Sequence, residues 1–517
     1  MRSIRLRILV TCVVLAVIGV GGWQLLPSGD DGQQPIRVGT TDIVSSLDPA
    51  GAYDAGSWAL FNNIYQSLLT FDPSSTVPTG DAAQHCGFEG DGLLTYSCKL
   101  RSGITFSNGD KMTGHDVAFS INRVTHIHDG QGPWSLLSTM KSVEAHGQTV
   151  TFHLKTPDAT FPSKLATGAG AIVDSKYYPA DKLRPGDTAI GSGPYLLKAY
   201  KQGVSATLVP NPKYTGAISK TGSPVDVEYF KTSEQLNTAW QNKKVDVTHR
   251  QMPPSVVAKV DASSSDMHVT EAASAEIRNM VFNTRKGSPM GTKAVRQAIA
   301  AVIDRDKITA GVYDSTVEPL YSVIPQGITS HSTAFFDMYP KPSKAKAEEL
   351  LKSAGVQTPV HFSLAYSPGG ATAQETAEIR RQLDATGLFK VKVISKEWQA
   401  FQKGYAAGDY DAYTIGWLPD YPDPDDFVAP LVGADNTFQN GYDNKKIDGL
   451  ITATQQYSQR AQASGDFKTI QQTVAADVPL LPLWQKKDYV LSTENVTGSQ
   501  YLSDGTGIWR LWELGRI

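Results

Sequence analysis

The chain has 517 residues, of which 40% are hydrophobic and 19% are charged, and its formal net charge is -3. This near-neutral balance is typical of a folded globular protein and excludes one that gathers nucleic acid through a strongly basic surface. A single core rarely extends over this length, so two or three lobes are expected.

The chain begins with a membrane-directed segment. Arg2, Arg5 and Arg7 precede an almost unbroken apolar stretch over residues 8–26. As a helix this stretch would be ~28 Å long, close to the hydrocarbon thickness of a bilayer. The basic flank predicts a cytoplasmic N-terminus, so the chain after Leu26 is expected on the outer face of the membrane or in a periplasm-like space. No A-x-A site follows, which favours an uncleaved anchor over residues 1–26 with a polar tether over 27–35; a cleaved signal is the alternative.

The cysteines agree with an exported protein. Apart from Cys12 in the apolar stretch, the chain has only Cys86 and Cys98, which flank turn-forming glycines. A turn here would bring the two thiols together, and we predict a disulfide bond between them. A metal-binding or redox pair is the alternative, but it lacks further cysteines and a C-x-x-C spacing.

The first half of the chain alternates strand-like and helix-like patterns. A strand at Ile36–Thr40 leads into a helix over residues 55–69, and residues 76–189 read as a smaller α+β lobe. Further elements are expected in chain order as a helix over 114–124, strands at 149–154, 195–197, 205–209 and 225–230, a helix over 233–242 and a strand at 245–247.

The second half has the rhythm of a sheet with helices on its faces. A strand over residues 277–282 precedes a helix over 293–303, and Asp306 is expected to cap the next helix. Strands at 360–366 and 391–394 enclose a helix over 372–386, which gives a β-α-β unit. The sequence therefore predicts an α/β fold.

Motifs for enzymatic chemistry are absent from the sequence. There is no nucleophile elbow, phosphate-binding loop, dinucleotide fingerprint or zincin helix. The closest histidines, His126 and His128, would point to opposite faces of a strand and form a poor metal chelate. We therefore predict no enzyme activity, cofactor or metal, although a catalytic site built from distant residues stays open.

Several segments occur in an order that resembles a known family, the extracellular solute-binding proteins of family 5, which are peptide- and nickel-binding components of ABC importers. The resemblance covers most of residues 36–500. Its segments are Leu47-Asp48-Pro49, Asn63-Ile64-Tyr65-Gln66-Ser67-Leu68, residues 100–109, Gly191-Ser192-Gly193-Pro194-Tyr195, Asn211-Pro212-Lys213-Tyr214, residues 282–305, Gly416-Trp417, Asp420-Tyr421-Pro422-Asp423-Pro424 and Pro479-Leu480-Leu481-Pro482-Leu483.

The resemblance implies a fold of the periplasmic-binding-protein type II, class C. Two main lobes would enclose a ligand cleft, with an additional lobe on one side. Domain I would combine residues 36–75, 190–275 and 488–517, domain II would be 76–189, and domain III would be 276–487. The protein is expected to be a monomer.

The resemblance also implies a binding site. In similar peptide binders, an acidic residue three positions after the Gly-Trp pair holds the α-ammonium group of the peptide, and this position is Asp420. Trp398 and Trp417 fall where such proteins line side-chain pockets, with core packing as the alternative, and Tyr421 is included among the expected contacts. For Asp423, Asp425 and Asp426 we expect a solvated acidic turn.

The expected function is delivery of a short peptide to ABC permease subunits driven by a cytoplasmic ATPase. Some oligopeptide binders carry arginines for the peptide carboxylate just before the Gly-Trp pair, whereas this chain has Tyr405 and Thr414 at those places. A nickel chelate, haem or another solute is the alternative ligand within the family. A sensor subunit or an enzyme on the same fold is the alternative from another class.

Overall fold

The structure is a computed structural model that describes residues 34–219, 222–261, 263–434, 436–502 and 507–517. The predicted anchor over residues 1–26 and most of the tether over 27–35 lie outside the described residues. Within the described part of the chain, no helix has both the length and the apolar character needed to cross a membrane.

Strands and helices alternate along the described chain. The strands are β1 (Ile36–Thr40), β2 (Leu69–Phe71), β3 (Pro78–Gly80), β4 (Ala83–Phe88), β5 (Thr95–Leu100), β6 (Met140–His146), β7 (Thr149–Leu154), β8 (Tyr195–Lys201), β9 (Ser205–Pro210), β10 (Val225–Tyr229), β11 (Val247–His249), β12 (Met267–Phe282), β13 (Val317–Pro319), β14 (Val360–Tyr366), β15 (Phe389–Ser395), β16 (Ala412–Trp417), β17 (Leu480–Thr493), β18 (Val496–Thr497) and β19 (Gly515–Arg516). The α-helices are α1 (Ala55–Ile64), α2 (Gly114–Ile127), α3 (Phe161–Leu165), α4 (Ser233–Gln241), α5 (Pro254–Val257), α6 (Lys293–Val302), α7 (Arg305–Tyr313), α8 (Ala334–Met338), α9 (Lys344–Ser353), α10 (Thr372–Asp384), α11 (Trp398–Ala407), α12 (Asp425–Val432), α13 (Lys445–Thr454) and α14 (Ser464–Asp477).

One large mixed sheet connects most of the chain. Its strands follow the order β15-β14-β16-β12-β17-β11-β1-β10-β9-β8, and β13 pairs with β17 beside this path. β1 lies parallel between β10 and β11, and β14 lies parallel between β15 and β16. The long antiparallel pair β12 and β17 lies between these two parallel regions.

A separate four-stranded antiparallel sheet has the order β4-β5-β7-β6. β4 and β5 form a hairpin in which Cys86 and Cys98 are directly opposite each other. The structure joins these two cysteines by a disulfide bond, which is the pairing expected from the sequence.

The described residues form two main hydrophobic cores. The first core, which we call core A, gathers buried side chains mainly from residues 36–247 and 490–514. The second, core B, gathers buried side chains from residues 275–484. The apolar face of α6 shows the pattern behind core B, because Val295, Ala298, Ile299 and Val302 recur at helical spacing and are all buried.

Turn residues explain where several elements meet. The Asp54 side chain accepts a hydrogen bond from the Ser57 N–H at 2.8 Å and so caps α1. Gly193 packs so closely on the end of α1 that an added Cβ would come within 2.5 Å of the Asn63 carbonyl oxygen. This contact explains the need for glycine before Pro194, which fixes the backbone entering β8.

Some predicted boundaries are wrong. The helix expected over residues 55–69 ends at Ile64, because Tyr65 has extended backbone, and Leu69 already begins β2. The strand expected at 245–247 is Val247–His249. Asp306 lies inside the first turn of α7, and the cap is Asp304, whose side chain accepts from the Lys307 N–H at 3.2 Å.

Candidate functional site

A cavity of about 1410 Å³ is lined by segments that are far apart in the sequence. Tyr53 and Trp58 come from the start of the described chain, and Arg250 follows β11. Residues 415–420, at the end of β16 and just after it, line the cavity together with α11 and residues 436–439. Both the part of the chain that forms core A and the part that forms core B therefore contribute to one cavity.

Three of the four predicted ligand contacts line this cavity. Trp398 is the first residue of α11 and is 50% exposed, while Trp417 is the last residue of β16. Asp420 follows in the loop after β16. Tyr421 is not among the cavity-lining residues; it is 3% exposed and packs in core A. Since its side chain packs in a core, Tyr421 is not a candidate ligand contact.

Asp420 contacts a residue that sequence reasoning missed. The Tyr53 hydroxyl donates a hydrogen bond to Asp420 Oδ2, and the Tyr53 ring stacks on Trp58 with centroids 5.2 Å apart. Burial raises the pKa of Asp420 to about 7, against the opposing effects of the Tyr53 hydroxyl and Lys164. Because burial disfavours the charged form of this carboxylate, a cationic partner would stabilise it. No local sequence pattern marks Tyr53, because it lies 367 residues from Asp420.

The prediction of a solvated acidic turn after Asp420 is wrong. Asp423, Asp425 and Asp426 are 8%, 1% and 2% exposed. Arg460 pairs with Asp423 through two hydrogen bonds of 2.7 Å, from Nε to Oδ2 and from Nη2 to Oδ1. A partner distant in the sequence thus allows the turn to be buried, which the local acidic pattern does not reveal.

The other two carboxylates of the turn have weaker partners. Asp425 accepts from Gln455 Nε2 at 3.1 Å and from Thr454 Oγ1 at 3.3 Å, and burial raises its pKa to about 6. Asp426 Oδ2 accepts from the Asp420 N–H at 2.7 Å. Burial and the charge of Asp420 raise the pKa of Asp426 well above its usual value. The carboxyl groups that lie behind Asp420 are therefore ones whose ionisation is unfavourable.

A buried lysine lies near this group. Lys164, in α3, donates to Asp158 Oδ2 at 2.8 Å. Although burial works against the charged form, Asp158, Asp425 and Asp426 hold the pKa of Lys164 above its usual value. Lys164 therefore carries a positive charge that partly compensates the acidic turn.

Among the described residues that line the cavity, three have a buried side-chain atom without a hydrogen-bond partner. They are Trp417 Nε1, Asn436 Oδ1 and Arg250 Nε, the last of which still forms an ion pair with Asp42. Asn436 is 3% exposed, so water from bulk solvent has little access to it. Unpaired buried polar atoms are unfavourable, but these atoms expose almost no surface to the cavity, so they do not indicate a ligand contact.

Tyr405 and Thr414 differ in whether they reach the cavity. The Tyr405 ring lines the cavity and stacks on Tyr413 with centroids 5.1 Å apart. Thr414 is buried and accepts from Arg278 Nη2 at 2.9 Å. Two arginines that the sequence did not single out, Arg250 and Arg285, line the cavity instead.

Arg285 bridges two loops at the cavity wall. Its Nη2 donates to the carbonyl oxygens of Ala406 at 3.1 Å and Gln439 at 2.5 Å, and its Nη1 donates to Asn283 Oδ1 at 3.3 Å. Arg250 lies with Nε 3.3 Å from Asp42 Oδ2. In the described residues, no group of three or more His, Cys, Asp or Glu side chains has a geometry that suits a metal ion.

Comparison with known proteins identifies the fold and the family. The model of the family described as "Bacterial extracellular solute-binding proteins, family 5 Middle" matches residues 78–439. The probable D,D-dipeptide-binding periplasmic protein DdpA of Escherichia coli K12 is 25% identical over 476 residues, covering 89% of this chain and 90% of that protein. The oligopeptide-binding protein AppA of Bacillus subtilis is 27% identical over 486 residues, covering 87% of this chain and 85% of that protein.

A solved structure gives the same result for the fold. The periplasmic binding protein DppA from Helicobacter pylori, in complex with the peptide STSA, matches with a TM-score of 0.80 at 22% identity, over 93% of this chain and 98% of that chain. The predicted α/β fold of the periplasmic-binding-protein type II is therefore confirmed. With a family match over residues 78–439, the chain belongs to the bacterial extracellular solute-binding proteins of family 5.

Proposed function

We propose that this chain is the extracytoplasmic substrate-binding component of an ABC importer and that it binds a short peptide through the α-ammonium group at Asp420. The single observation that carries the proposal is a partly exposed carboxylate at the cavity wall that is not paired with a cation. Among the described residues, no Lys, Arg or His side chain forms an ion pair with Asp420. The names of the relatives, which describe dipeptide and oligopeptide binding, support the same class of ligand.

An ammonium group suits this position for a physical reason. The Asp420 carboxylate already receives one hydrogen bond from Tyr53 and keeps lone pairs for a second donor. A charge-assisted hydrogen bond from an ammonium group is stronger than a neutral one, and more so away from water. The amine end of a peptide would therefore determine its orientation in the cavity.

The remaining cavity groups suit the rest of a peptide. Trp398 and Trp417 offer rigid apolar surfaces that accept varied side chains by burial of area. Arg250 and Arg285 are the cationic groups that we propose for the peptide carboxylate, in place of the arginines missing at Tyr405 and Thr414. This arrangement requires no chemical step, and the protein would act by binding alone.

We also propose that the domains follow the boundaries expected from the sequence. Domain I would be 36–75, 190–275 and 488–517, domain II 76–189 and domain III 276–487. Core A and core B support the limits of domain III, since they separate near residue 275 and again near residue 487, whereas core A extends through both domain I and domain II. Closure of the lobes around a peptide would present both to a permease, and a separate ATPase would supply the energy.

Thermal unfolding with peptides tests the proposal. We expect a pool of short peptides to raise the Tm of the purified protein by a few degrees, since ligand at a hundred times Kd adds about 2.7 kcal/mol of stability. N-acetylation of the same peptides should abolish the increase, because it removes the ammonium group. The variant Asp420→Ala should abolish it too, whereas Asp187→Ala, which removes an exposed carboxylate outside the cavity, should retain it.

The outcomes separate the candidate ligands. If acetylated and free peptides stabilise the wild-type protein equally, the amine is not the recognised group and the role of Asp420 is refuted. If no peptide raises the Tm, the peptide ligand is refuted, and a nickel chelate, haem or another small solute becomes the ligand to test.

A further inference from the structure

Asp426 is placed to act on the amine site without contacting the ligand. It is the second residue of α12, is 2% exposed, and does not line the cavity. Its Oδ2 accepts the Asp420 N–H at 2.7 Å, which folds the loop of Asp420 back onto the first turn of α12. The position of the Asp420 side chain at the cavity wall therefore depends on Asp426.

The charged groups around this pair do not balance. Five carboxylates lie in the group, namely Asp158, Asp420, Asp423, Asp425 and Asp426, against the two cations Lys164 and Arg460. The cations are already engaged, because Lys164 lies 2.8 Å from Asp158 and Arg460 lies 2.7 Å from Asp423. The tyrosines that face the pair, Tyr53 and Tyr421, have hydroxyl pKa values raised well above the usual range by burial, so they add no charge.

Asp426 is therefore a buried carboxyl group that contacts the backbone of Asp420, and among the described residues neither carboxyl group forms an ion pair with a cation. Burial raises the pKa of Asp420 to about 7, and burial together with the charge of Asp420 raises that of Asp426. The two groups are therefore not expected to ionise together, because the charge of Asp420 makes ionisation of Asp426 less favourable.

We propose that Asp426 is a positioning residue for the ligand amine, and that the Asp420–Asp426 pair holds one proton in the ligand-free protein which passes to solvent when an ammonium group binds. The proposal rests on the proposed function, since it concerns the same amine site. One positive charge enters the site as ammonium and one leaves as a proton, so the net charge of the buried group is unchanged.

Ligand binding should therefore depend on pH in a defined direction. Below the pKa of the pair, the ammonium must displace a proton, so affinity falls by up to about tenfold for each unit of decrease in pH. Above that pKa, the pair is already ionised and affinity becomes constant. A peptide amine keeps its charge below a pKa of about 7.7, so measurements between pH 5 and 7 report on the protein.

Titration calorimetry with the tripeptide Ala-Ala-Ala tests the proton exchange. At pH 6.5, in buffers that differ in ionisation enthalpy, we expect the observed heat to show release of close to one proton per peptide bound. Asp426→Asn keeps an oxygen for the Asp420 N–H but removes the shared proton, so release should fall by at least half and the pH dependence should flatten. The control Asp425→Asn changes a buried neighbour that does not contact the Asp420 loop backbone, and it should retain most of the release.

A second measurement does not require a ligand. The raised pKa values mean that the folded protein binds protons more tightly than the unfolded chain, so stability is highest below the ordinary carboxyl pKa and is lost as pH rises through the raised values. Between pH 5 and 7.5 we expect the Tm of the ligand-free protein to fall by ~2–5 °C on account of this pair, and by less than half of that in Asp426→Asn.

Each result decides a separate point. Binding of Ala-Ala-Ala without proton exchange in the wild-type protein, or with equal exchange in Asp426→Asn, overturns the proposal while leaving the peptide function intact. Absence of any peptide binding refutes the proposed function. The dependence of the ligand-free protein's Tm on pH still tests whether the Asp420–Asp426 pair holds a proton. Equal Tm profiles for the wild-type protein and Asp426→Asn would show that the pair holds no proton.

Discussion

Two aspartates, the buried Asp48 and the partly exposed Asp420 at the cavity wall, have very different surroundings. Asp48 is 2% exposed and pairs with Arg123 through two hydrogen bonds of 2.6 Å, while the N–H groups of Ala50 and Arg184 donate to it at 3.0 and 2.6 Å. Asp420 receives a hydroxyl hydrogen bond from Tyr53 and has no cation among the described residues.

The difference separates a carboxylate that stabilises the fold from one that is available to a ligand. Folding provides Asp48 with donors for both oxygens, so its charge is compensated within the protein. Folding places Asp420 at a cavity and leaves its charge uncompensated, which is unfavourable until a cation arrives. Charge at a cavity wall without an ionic partner is thus a more informative sign of a binding site than buried charge alone.

The largest expected effect concerns the compensated carboxylate. Asp48→Asn would leave the Arg123 guanidinium buried without a counter-charge, and we expect the free energy of unfolding to fall by about 3–5 kcal/mol. Denaturant unfolding of the ligand-free protein measures this loss. A loss below about 1 kcal/mol would contradict the assignment of Asp48 as a structural partner.

The matching substitution at Asp420 should have the opposite sign in the ligand-free protein. Asp420→Asn removes a carboxylate that burial disfavours, so at pH 7.5 the free energy of unfolding should stay equal or rise by ~1–2 kcal/mol. The same denaturant experiment measures it beside Asp48→Asn. A decrease comparable to that of Asp48→Asn would remove the distinction between the two sites.

A smaller change tests the remaining donor at Asp420. Tyr53→Phe removes the hydroxyl that favours the ionised carboxylate, so the pKa of Asp420 should rise further. We expect peptide affinity to fall by ~3–10-fold at pH 6 and by less at pH 7.5, where ionisation is easier. Calorimetry at the two pH values measures this, with Tyr177→Phe as the control because Tyr177 is 51% exposed. An increase in affinity would mean that the Tyr53 hydroxyl occupies the position of the ammonium group.

The sequence predicts the fold best where a local pattern and its tertiary setting agree. The bounds of β1 and β14 agree with those predicted, because both are short strands in parallel regions of the large sheet and most of their apolar residues are buried. The predicted helix over residues 55–69 is too long. Apolar residues continue at helical spacing through Tyr65 and Leu68, although the observed helix ends at Ile64. Apolar periodicity alone does not mark such an end.

The site was predictable only in part, and for a physical reason. Asp420, Trp417 and Trp398 were found through their fixed order in a family pattern, and all three line the cavity. The burial of Asp425 and Asp426 was not predictable, because their setting depends on Lys164 and Gln455, which no local pattern connects to them. Contacts made across hundreds of residues determine the electrostatics of this site.

The pairing of strands β12 and β17 determines where the large sheet can change its twist. Twelve residue pairs join them in one antiparallel ribbon that runs from the neighbourhood of core A, where β17 also pairs with β11, to that of core B. The ladder is irregular between the pairs at Ala273 and Ile277 and between those at Arg278 and Asn279. Such interruptions bend a strand and increase its local right-handed twist. We therefore expect any rotation of one end of the sheet against the other to concentrate at these two places, where the regular ladder between β12 and β17 is interrupted.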